Sequence, residues 1–473
     1  MTRFQSRRQV FMDTTQYLIL VAVLVSSCGQ LPAAGNAGRR PDILFVVADD
    51  LGRADVGFAG GRDIRTPHLD ALAAAGARLD QFYVQPVCSP TRAALMTGRY
   101  PMRYGLQVGV IRPLAKYGLP LEERILPQAL REAGYTTCLV GKWHLGSFDK
   151  AYWPTARGFD HHYGHLFGAI DYFKHTRDTL PDWYRDGVAL KEEGYTTHLL
   201  AREAVRIIRE QPEEKPLFLC VAFNAVHAPH QVPEKYKAPY TTLAEPRRTY
   251  AGMVAALDEA IGQIIAALDT SGRRTNTLVV FTSDNGGLRP GSVSDNGPLR
   301  AGKGTLYEGG VRVCAFANWP GRIAPGVIRE SLHIADWYPT LLKLGGASLE
   351  QKLPLDGRDI WPTLTASAPS PHSEILLNAT PVNGAIRVGD WKLVVNGSLI
   401  DDGTILKETT LDASSKSATA APRRPAVELF NLRKDPGEQR NLAVREPEKA
   451  VELQTRYDAL ARQAVAPRNG AQP

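Results

Sequence analysis

Short apolar runs alternate with segments of helical periodicity through the N-terminal two thirds of the chain. Four runs rich in β-branched and aromatic residues predict buried strands, at residues 43–48, 135–140, 217–223 and 277–282. Segments of helical pattern lie between them, at residues 66–76, 121–132 and 253–268. This alternation predicts an α/β fold, with a mostly parallel sheet, helices on both faces and right-handed connections.

The composition changes near residues 366–371, where Ala, Ser and Pro dominate. Beyond this point, residues 385–395 predict a hairpin that turns at Gly389 and Asp390, and residues 447–463 predict a final helix. Residues 414–424 predict a mobile loop. We therefore predict a large domain over residues 41–365 and a smaller C-terminal α+β subdomain over residues 366–473, with an antiparallel sheet and a terminal helix.

The N-terminus has the features of an export signal. Arg7 and Arg8 precede an apolar stretch over residues 17–25, which is too short to span a bilayer but suffices for a signal-peptide core. We predict a twin-arginine-like signal peptide over residues 1–27 and a linker over residues 28–40. Residues 25–29 are typical of a lipobox, which would make Cys28 a lipid anchor; cleavage near residues 33–35 would instead release a free protein. Either way we expect export to the periplasm or the cell surface.

Length, composition and cysteine content exclude several classes of protein. With 473 residues, 44% hydrophobic and 22% charged, the chain can bury a large core. Its formal net charge of +7 suits anionic ligands, but it has no basic run interleaved with aromatic residues, which argues against nucleic-acid binding. Cys138, Cys220 and Cys314 lie in apolar stretches, which predicts buried thiols rather than a zinc site or a disulfide framework.

Oxygen-bearing side chains follow two of the predicted strands. Asp49 and Asp50 come after the first strand, and Asp284 and Asn285 come after the last. Open α/β sheets bind their ligands beyond the carboxyl ends of strands, and Ca²⁺ prefers carboxylate and carbonyl oxygens. Either pair alone is more often a solvated loop, so the prediction of a metal site depends on both.

Two other polar clusters have simpler interpretations. His161, His162 and His165 include a pair spaced by one helical turn, but no acid stands in HExxH register, so we interpret them as packing or cleft-wall residues. The triplet Asp295-Asn296-Gly297 follows no predicted strand and favours a turn.

The run from Cys88 to Arg99 carries the most specific signal in the chain. Cys88-Ser89-Pro90-Thr91-Arg92 and the residues after it resemble the segment on which type I sulfatases build their catalytic formylglycine. Further segments are similar to that family and follow its order, at residues 141–146, 226–229, 302–310 and 427–442. The resemblance implies an alkaline-phosphatase-like fold and the hydrolysis of sulfate esters. The alternative is an unmodified Cys88 packed at a helix start.

The resemblance also implies a metal and a modified residue. One Ca²⁺ is expected, since Mg²⁺ prefers a tighter octahedron that retains water. A formylglycine-generating enzyme would convert the cysteine to a hydrated aldehyde, which offers a nucleophilic hydroxyl that a thiol lacks. The implied ligands of the metal are Asp49, Asp50, Asp284, Asn285 and an oxygen of converted Cys88.

Five further residues acquire roles from the same resemblance. Lys142 and Lys303 would contact sulfate oxygens, and Arg92 would neutralise charge that develops on the hydrated aldehyde. His144 would contact the formylglycine hydroxyl, whereas His227 would face the ester oxygen and donate a proton to the leaving alcohol.

The substrate is less closely defined. Residues 154–160, 214–219 and 336–341 are similar to the arylsulfatase B, or N-acetylgalactosamine-4-sulfatase, type. This likeness favours N-acetylgalactosamine-4-sulfate units of chondroitin or dermatan, with algal galactans second. Two alternatives stay open: a phosphodiesterase or phosphonate hydrolase of the same superfamily, and a non-catalytic lipoprotein that binds sulfated glycans if Cys88 is unconverted.

Overall fold

A computed structural model describes residues 1–2, 39–288, 291–397 and 426–468. Residues 3–27 of the predicted signal peptide, Cys28 and the predicted loop at residues 414–424 lie outside the described residues. The described residues from Arg40 onward form one compact unit.

The large sheet and a short hairpin precede residue 334, and a second sheet follows residue 374. The described strands are β1 Asp42–Ala48, β2 Ala77–Tyr83, β3 Thr136–Lys142, β4 His161–His165, β5 Thr176–Arg177, β6 Leu180–Pro181, β7 Tyr184–Arg185, β8 Val188–Ala189, β9 Leu217–Ala222, β10 Thr277–Ser283, β11 Arg312–Val313, β12 Ala315–Asn318, β13 Gly326–His333, β14 Ile375–Ala379, β15 Gly384–Val388, β16 Trp391–Val395 and β17 Val427–Asn431. The α-helices are α1 Pro67–Ala74, α2 Cys88–Thr97, α3 Leu126–Glu132, α4 Thr196–Glu210, α5 Glu234–Lys237, α6 Arg247–Thr270, α7 Glu308–Val311, α8 Trp337–Leu344, α9 Trp361–Ala366 and α10 Pro447–Ala461.

The large sheet is parallel at its centre and antiparallel towards its edges. Strands β10, β1, β9, β3 and β4 lie side by side in that order and run parallel. On one side β12 pairs antiparallel with β10 and with β2, and on the other β7 pairs antiparallel with β4. The prediction of a mostly parallel sheet is therefore confirmed at the centre, and the sheet as a whole is mixed.

Helices cover both faces of this sheet, because alternate residues of each central strand point to opposite sides. Leu44 and Val46 of β1 face a core that α1, α4 and α6 complete. Phe45 and Val47 of the same strand face a second core, which α2, α3 and α8 complete. All four side chains are buried, which explains why the strand is an uninterrupted apolar run.

Two predicted elements differ from the observed ones. The helix predicted over residues 121–132 begins only at Leu126, because Arg157 donates hydrogen bonds to the carbonyls of Pro120 and Glu123 and holds that stretch in turns. The histidines of β4 lie on a strand in parallel register with β3. The helical spacing of His161 and His165 therefore does not exist in the fold.

Strands β14 to β17 form an antiparallel sheet of their own in the C-terminal region. The hairpin between β15 and β16 turns at Gly389 and Asp390, as predicted, with Val388 paired to Trp391. Leu453 and Tyr457 of α10 are buried against this sheet. The predicted antiparallel sheet and terminal helix are thus both present.

Candidate active site

The two oxygen-rich pairs meet because their strands are neighbours in register. Ala48 at the end of β1 lies opposite Ser283 at the end of β10, so the residues that follow emerge at the same sheet edge. The Asp50 amide lies 3.3 Å from Asp284 Oδ1, and Asn285 Nδ2 donates to Asp50 Oδ1 at 2.7 Å. Asp50 has φ of 61°, a backbone region that is uncommon outside glycine and is often occupied at functional sites.

Cys88 lies at the first position of α2, and every residue of that helix is buried. One carboxylate oxygen each of Asp49 and Asp284 and the Cys88 sulfur lie within 4.8 Å of one another. Ser89, the next residue, donates through Oγ to the His144 carbonyl at 3.0 Å and accepts from the Ile111 amide. The start of the helix is thereby fixed against the predicted metal ligands and against the segment that carries His144.

Each of the three carboxylates has a basic partner. Lys142 Nζ lies 2.6 Å from Asp49 Oδ2, and Lys303 Nζ lies 3.0 Å from Asp50 Oδ2. Arg92 donates from Nη2 and Nε to Asp284 Oδ2, at 2.7 and 3.0 Å. These six side chains are buried, and burial of so many charges is tolerated only when they are paired.

Two oxygens in this cluster accept no hydrogen bond from any described residue. Asp49 Oδ1 and Asn285 Oδ1 are both buried and without a donor in the part of the chain that the structure describes. A buried oxygen without a partner is costly, so it indicates a missing ligand. Carboxylate and amide oxygens in such a set fit Ca²⁺. The predicted ligands Asp49, Asp50, Cys88, Asp284 and Asn285 therefore lie together in an arrangement that suits a divalent cation.

The ionisable groups perturb one another strongly. Burial alone would raise the pKa of Asp49, but the charges of Lys142, His227 and Arg92 outweigh it and hold that pKa well below its usual range. Burial and the nearby Asp49 charge raise the pKa of Asp284 to about 6. Burial likewise raises the pKa of the Cys88 thiol to about 12. An unmodified thiol here stays protonated at neutral pH and is a weak nucleophile.

His227 lies beside Lys303 and Asp50. Its Nδ1 is 2.6 Å from the Ala228 carbonyl oxygen, so that nitrogen donates. Its Nε2 is 3.2 Å from Lys303 Nζ and 3.6 Å from Asp50 Oδ2. Because an ammonium can only donate, Nε2 accepts from Lys303. The pair can therefore share a proton at the edge of the site.

His144 follows β3 and also has a left-handed backbone, with φ of 60°. Its Nε2 lies 3.0 Å from the Ile111 carbonyl oxygen and donates to it. Gly168 leaves space for the ring, since a Cβ there would come within 2.5 Å of the imidazole. The contact between His144 and a converted Cys88 stays a prediction.

Several residues that hold the site loops in place were not predicted from the sequence. Tyr172 donates through its hydroxyl to the carbonyls of Asn224 and His227, at 2.7 and 2.8 Å, and so holds the His227 loop. The Gly304 amide donates to the Pro86 carbonyl at 2.8 Å, which joins the Lys303 loop to the segment before Cys88. Neither contact follows from a local pattern in the sequence, because each joins segments that are far apart in the chain.

The remaining polar clusters have structural roles. Asn296 accepts from the Gly287 amide and donates to the Ala301 carbonyl, which fixes the loop after Asn285. His161 lies between Asp186 and Glu203, and His165 stacks on Trp183. The interpretation of these histidines as packing residues is consistent with these contacts.

Comparison with known proteins agrees with this geometry. The Sulfatase family model matches residues 41–347. Arylsulfatase J of Mus musculus is 37% identical, over 93% of this chain and 79% of its own length. N-acetylgalactosamine-6-sulfatase of Rattus norvegicus is 36% identical, over 73% and 69% respectively. The structure of Ps i-CgsB in complex with k-i-k-neocarrahexaose is 32% identical, with a TM-score of 0.79 and coverage of 91% of this chain and 94% of that one. The chain therefore belongs to the sulfatase family.

Proposed function

We propose that this protein is an exported sulfatase that removes sulfate from a carbohydrate, with formylglycine at position 88 and one Ca²⁺. The observation that carries the proposal is the position of Cys88, at a helix start among two lysines and four oxygen-bearing ligands. N-acetylgalactosamine-4-sulfate of chondroitin or dermatan type stays the first candidate substrate. A relative named N-acetylgalactosamine-6-sulfatase and the neocarrahexaose bound to Ps i-CgsB support a carbohydrate.

Each of the ten predicted site residues has a proposed role in binding or catalysis. Lys142 and Lys303 bind the sulfate oxygens, since each places a buried ammonium beside a carboxylate of the predicted metal site. Arg92 holds Asp284 in place and balances its charge. Ca²⁺ would be held by Asp49, Asp50, Asp284, Asn285 and residue 88, and would supply positive charge to the sulfate oxygens. Formylglycine would supply a hydroxyl nucleophile in place of the protonated thiol.

His227 donates the proton to the leaving alcohol. Its Nε2 is hydrogen-bonded to the Lys303 ammonium, so a proton can pass from lysine to imidazole and on to the alkoxide as the S–O bond breaks. The Tyr172 hydroxyl keeps the backbone of His227 in place. His144 would orient the hydroxyl of residue 88.

Export and maturation are proposed from the sequence alone. The twin-arginine-like signal at residues 1–27, with a lipid anchor at Cys28, would place the enzyme in the periplasm or at the cell surface. A formylglycine-generating enzyme would act on residues 88–92 before α2 packs, because Cys88 is fully buried in the folded chain.

The competing phosphodiesterase or phosphonate hydrolase activity is tested by substrate comparison. The purified enzyme is assayed with 4-nitrophenyl sulfate and 4-nitrophenyl phosphate at equal concentration. We expect kcat/KM for the sulfate ester to be higher by about 100-fold or more. A preference for the phosphate ester would contradict the proposal.

Calcium should stabilise the folded protein through the two unpartnered oxygens. A ligand that binds only the native state adds about 2.7 kcal/mol to the free energy of unfolding when present at about 100 times its Kd. We expect Ca²⁺ to raise Tm after removal of metal with a chelator, and Mg²⁺ to raise it less. The change Asn285→Leu, which removes one of those oxygens, should abolish the calcium-dependent rise.

The matched control is Asp390→Asn, which removes a carboxylate from an exposed turn. This variant should keep the full calcium-dependent rise in Tm. An equal rise in Asn285→Leu and in the unchanged protein would show that the ion binds elsewhere. Because the readout is thermal unfolding, it does not depend on turnover.

A further inference from the structure

Asp182 is a fully buried acid to which the proposed mechanism gives no role. It lies between β6 and β7, and its two oxygens accept hydrogen bonds from two consecutive amides of another segment. Oδ1 accepts from the Leu166 amide at 2.9 Å, and Oδ2 accepts from the Phe167 amide at 2.8 Å. Both amides lie just beyond β4, so Asp182 fixes the backbone at the point where that strand ends.

The segment that Asp182 holds is the one against which His144 packs. The Leu166 carbonyl accepts from the His144 amide at 3.1 Å. The imidazole lies against Gly168, where an added Cβ would come within 2.5 Å of the ring. His144 has a left-handed backbone, a conformation that persists only when the surrounding structure holds it. Residues 166–168 therefore link the Asp182 carboxylate to the orientation of His144.

Only the ionised carboxylate of Asp182 can accept both hydrogen bonds in this geometry. The two amides lie on different oxygens, and protonation turns one of these oxygens into a hydroxyl, which is a donor. The amide of Leu166 or of Phe167 would then face a donor in a buried position, which is costly. The backbone of residues 166–168 should therefore shift when Asp182 becomes neutral.

Four ionisable side chains belong to residues that lie around Asp182: His165, His175, Arg177 and Tyr184. His165 Nδ1 is 3.9 Å from Asp182 Oδ2 but donates to the Phe167 carbonyl, and burial holds the pKa of this imidazole well below its usual range. Burial also lowers the pKa of His175 and raises that of Tyr184, so both are neutral near pH 7. Arg177 favours the ionised carboxylate, but burial outweighs it and raises the pKa of Asp182 to about 7.

We infer that Asp182 is a positioning residue of the active site: its ionised carboxylate holds residues 166–168, and these keep His144 in the orientation that contacts residue 88. The inference rests on the proposed sulfatase function, to which the contact between His144 and residue 88 belongs. Asp182 acts through His144 and not on the substrate. Neutralisation of Asp182, by acid or by substitution, should therefore lower kcat.

The test is the ratio of kcat for 4-nitrophenyl sulfate, unchanged enzyme over Asp182→Asn, at about pH 8 and about pH 5.5. Asparagine keeps the size of the side chain but places a donor where one oxygen was. We expect a ratio of about 10 at the higher pH. At the lower pH we expect less than about 2, because Asp182 of the unchanged enzyme is then also neutral. Equal ratios would overturn the inference, since a merely structural role does not depend on this charge.

Asp258→Asn is the matched control. Asp258 is also buried and accepts from two consecutive amides, those of His68 and Leu69, at 3.2 and 2.8 Å. Burial raises its pKa to about 6, but it lies on α6 and holds the start of α1. Its substitution should leave kcat unchanged at both pH values. A loss of the same size and pH dependence as in Asp182→Asn would overturn the inference.

Substitution of His144 shows whether Asp182 acts through it. In a His144→Ala background, Asp182→Asn should change kcat at about pH 8 by less than about twofold, and a further tenfold loss would overturn the inference. If Asp182→Asn does not fold, the fall in kcat between the two pH values is compared in the unchanged enzyme and in His144→Ala. This fall should be smaller in His144→Ala, and an equal fall would overturn the inference.

Failure of this inference can be told apart from failure of the proposed function. If 4-nitrophenyl sulfate is hydrolysed but the ratio of kcat is the same at both pH values, the inference is wrong and the sulfatase function stands. If protein with formylglycine at position 88 hydrolyses no sulfate ester, both are wrong.

Discussion

Cys88→Ala should lower kcat/KM for 4-nitrophenyl sulfate to the background rate, a loss on the order of 10⁵-fold, as for removal of other enzymatic nucleophiles. The variant loses the side chain that begins α2, whose sulfur lies within 4.8 Å of carboxylate oxygens of Asp49 and Asp284. No neighbouring cysteine can replace it, since Cys138 and Cys220 lie within β3 and β9. Alanine removes only one atom from a buried position, so the fold should be retained.

Cys220→Ala is the matched control for this loss. Cys220 is also fully buried, and burial raises the pKa of its thiol to about 12, as it does for Cys88. Its loss leaves a small cavity that costs about 1 kcal/mol of stability and leaves turnover unchanged. Intact-mass analysis of the unchanged protein should show a loss of about 18 Da on the peptide that contains residue 88, the sign of formylglycine. Full sulfatase activity in Cys88→Ala would contradict the proposed nucleophile.

The meeting of the four predicted metal ligands at one sheet edge could be predicted from the sequence, because it follows from two local features of the chain. β1 and β10 are both apolar runs that end in oxygen-bearing side chains, and parallel strands bring their carboxyl ends to the same edge. The register of Ala48 against Ser283 then fixes which residues meet. The same reasoning could not give the pairing of Arg92 with Asp284, which depends on how α2 lies against the sheet.

Other features of the fold depend on contacts between residues that are far apart in the chain, so no local sequence pattern predicts them. The order of strands in the sheet places β12 beside both β10 and β2, which no periodicity predicts. The late start of α3 depends on Arg157, more than thirty residues away in the chain. The apparent helical spacing of His161 and His165 arose because a buried strand has no polar alternation to distinguish it.

The second large effect is a loss of stability on substitution of Lys392. This residue lies in the C-terminal sheet and is fully buried between two carboxylates. Its Nζ lies 3.0 Å from Glu308 Oε1 and 2.8 Å from Glu438 Oε1. Tyr83 also donates to Glu308, through its hydroxyl at 2.8 Å. Glu308 begins α7, directly after the loop that carries Lys303. Lys392 therefore joins the small sheet to the loop that carries Lys303.

Lys392→Met should lower the free energy of unfolding by about 3–5 kcal/mol at neutral pH, because it leaves Glu438 buried without its cation and leaves Glu308 with the more distant Arg312, whose Nη1 lies 3.6 Å from Glu308 Oε2. Burial already raises the pKa of Glu438 to about 7, despite the charge of Lys392. A carboxyl with a raised pKa in the folded state stabilises the protein at low pH, and this stability is lost as pH rises through the folded pKa. The deficit of Lys392→Met should therefore be larger at about pH 8 than at about pH 5.5.

Urea unfolding of the variant at both pH values measures this difference directly. Lys343→Met serves as the matched control, because Lys343 Nζ forms a similar pair with Asp359 at 2.9 Å but its side chain is 54% exposed. An exposed pair contributes about 0–1 kcal/mol, so the control should lose little at either pH. KM for the sulfate ester should also rise in Lys392→Met, since the Lys303 loop loses an anchor at Glu308. Equal stability of the two variants would mean that the buried cluster does not hold the loop, and that Lys303 is positioned by its contacts with Asp50 and His227 alone.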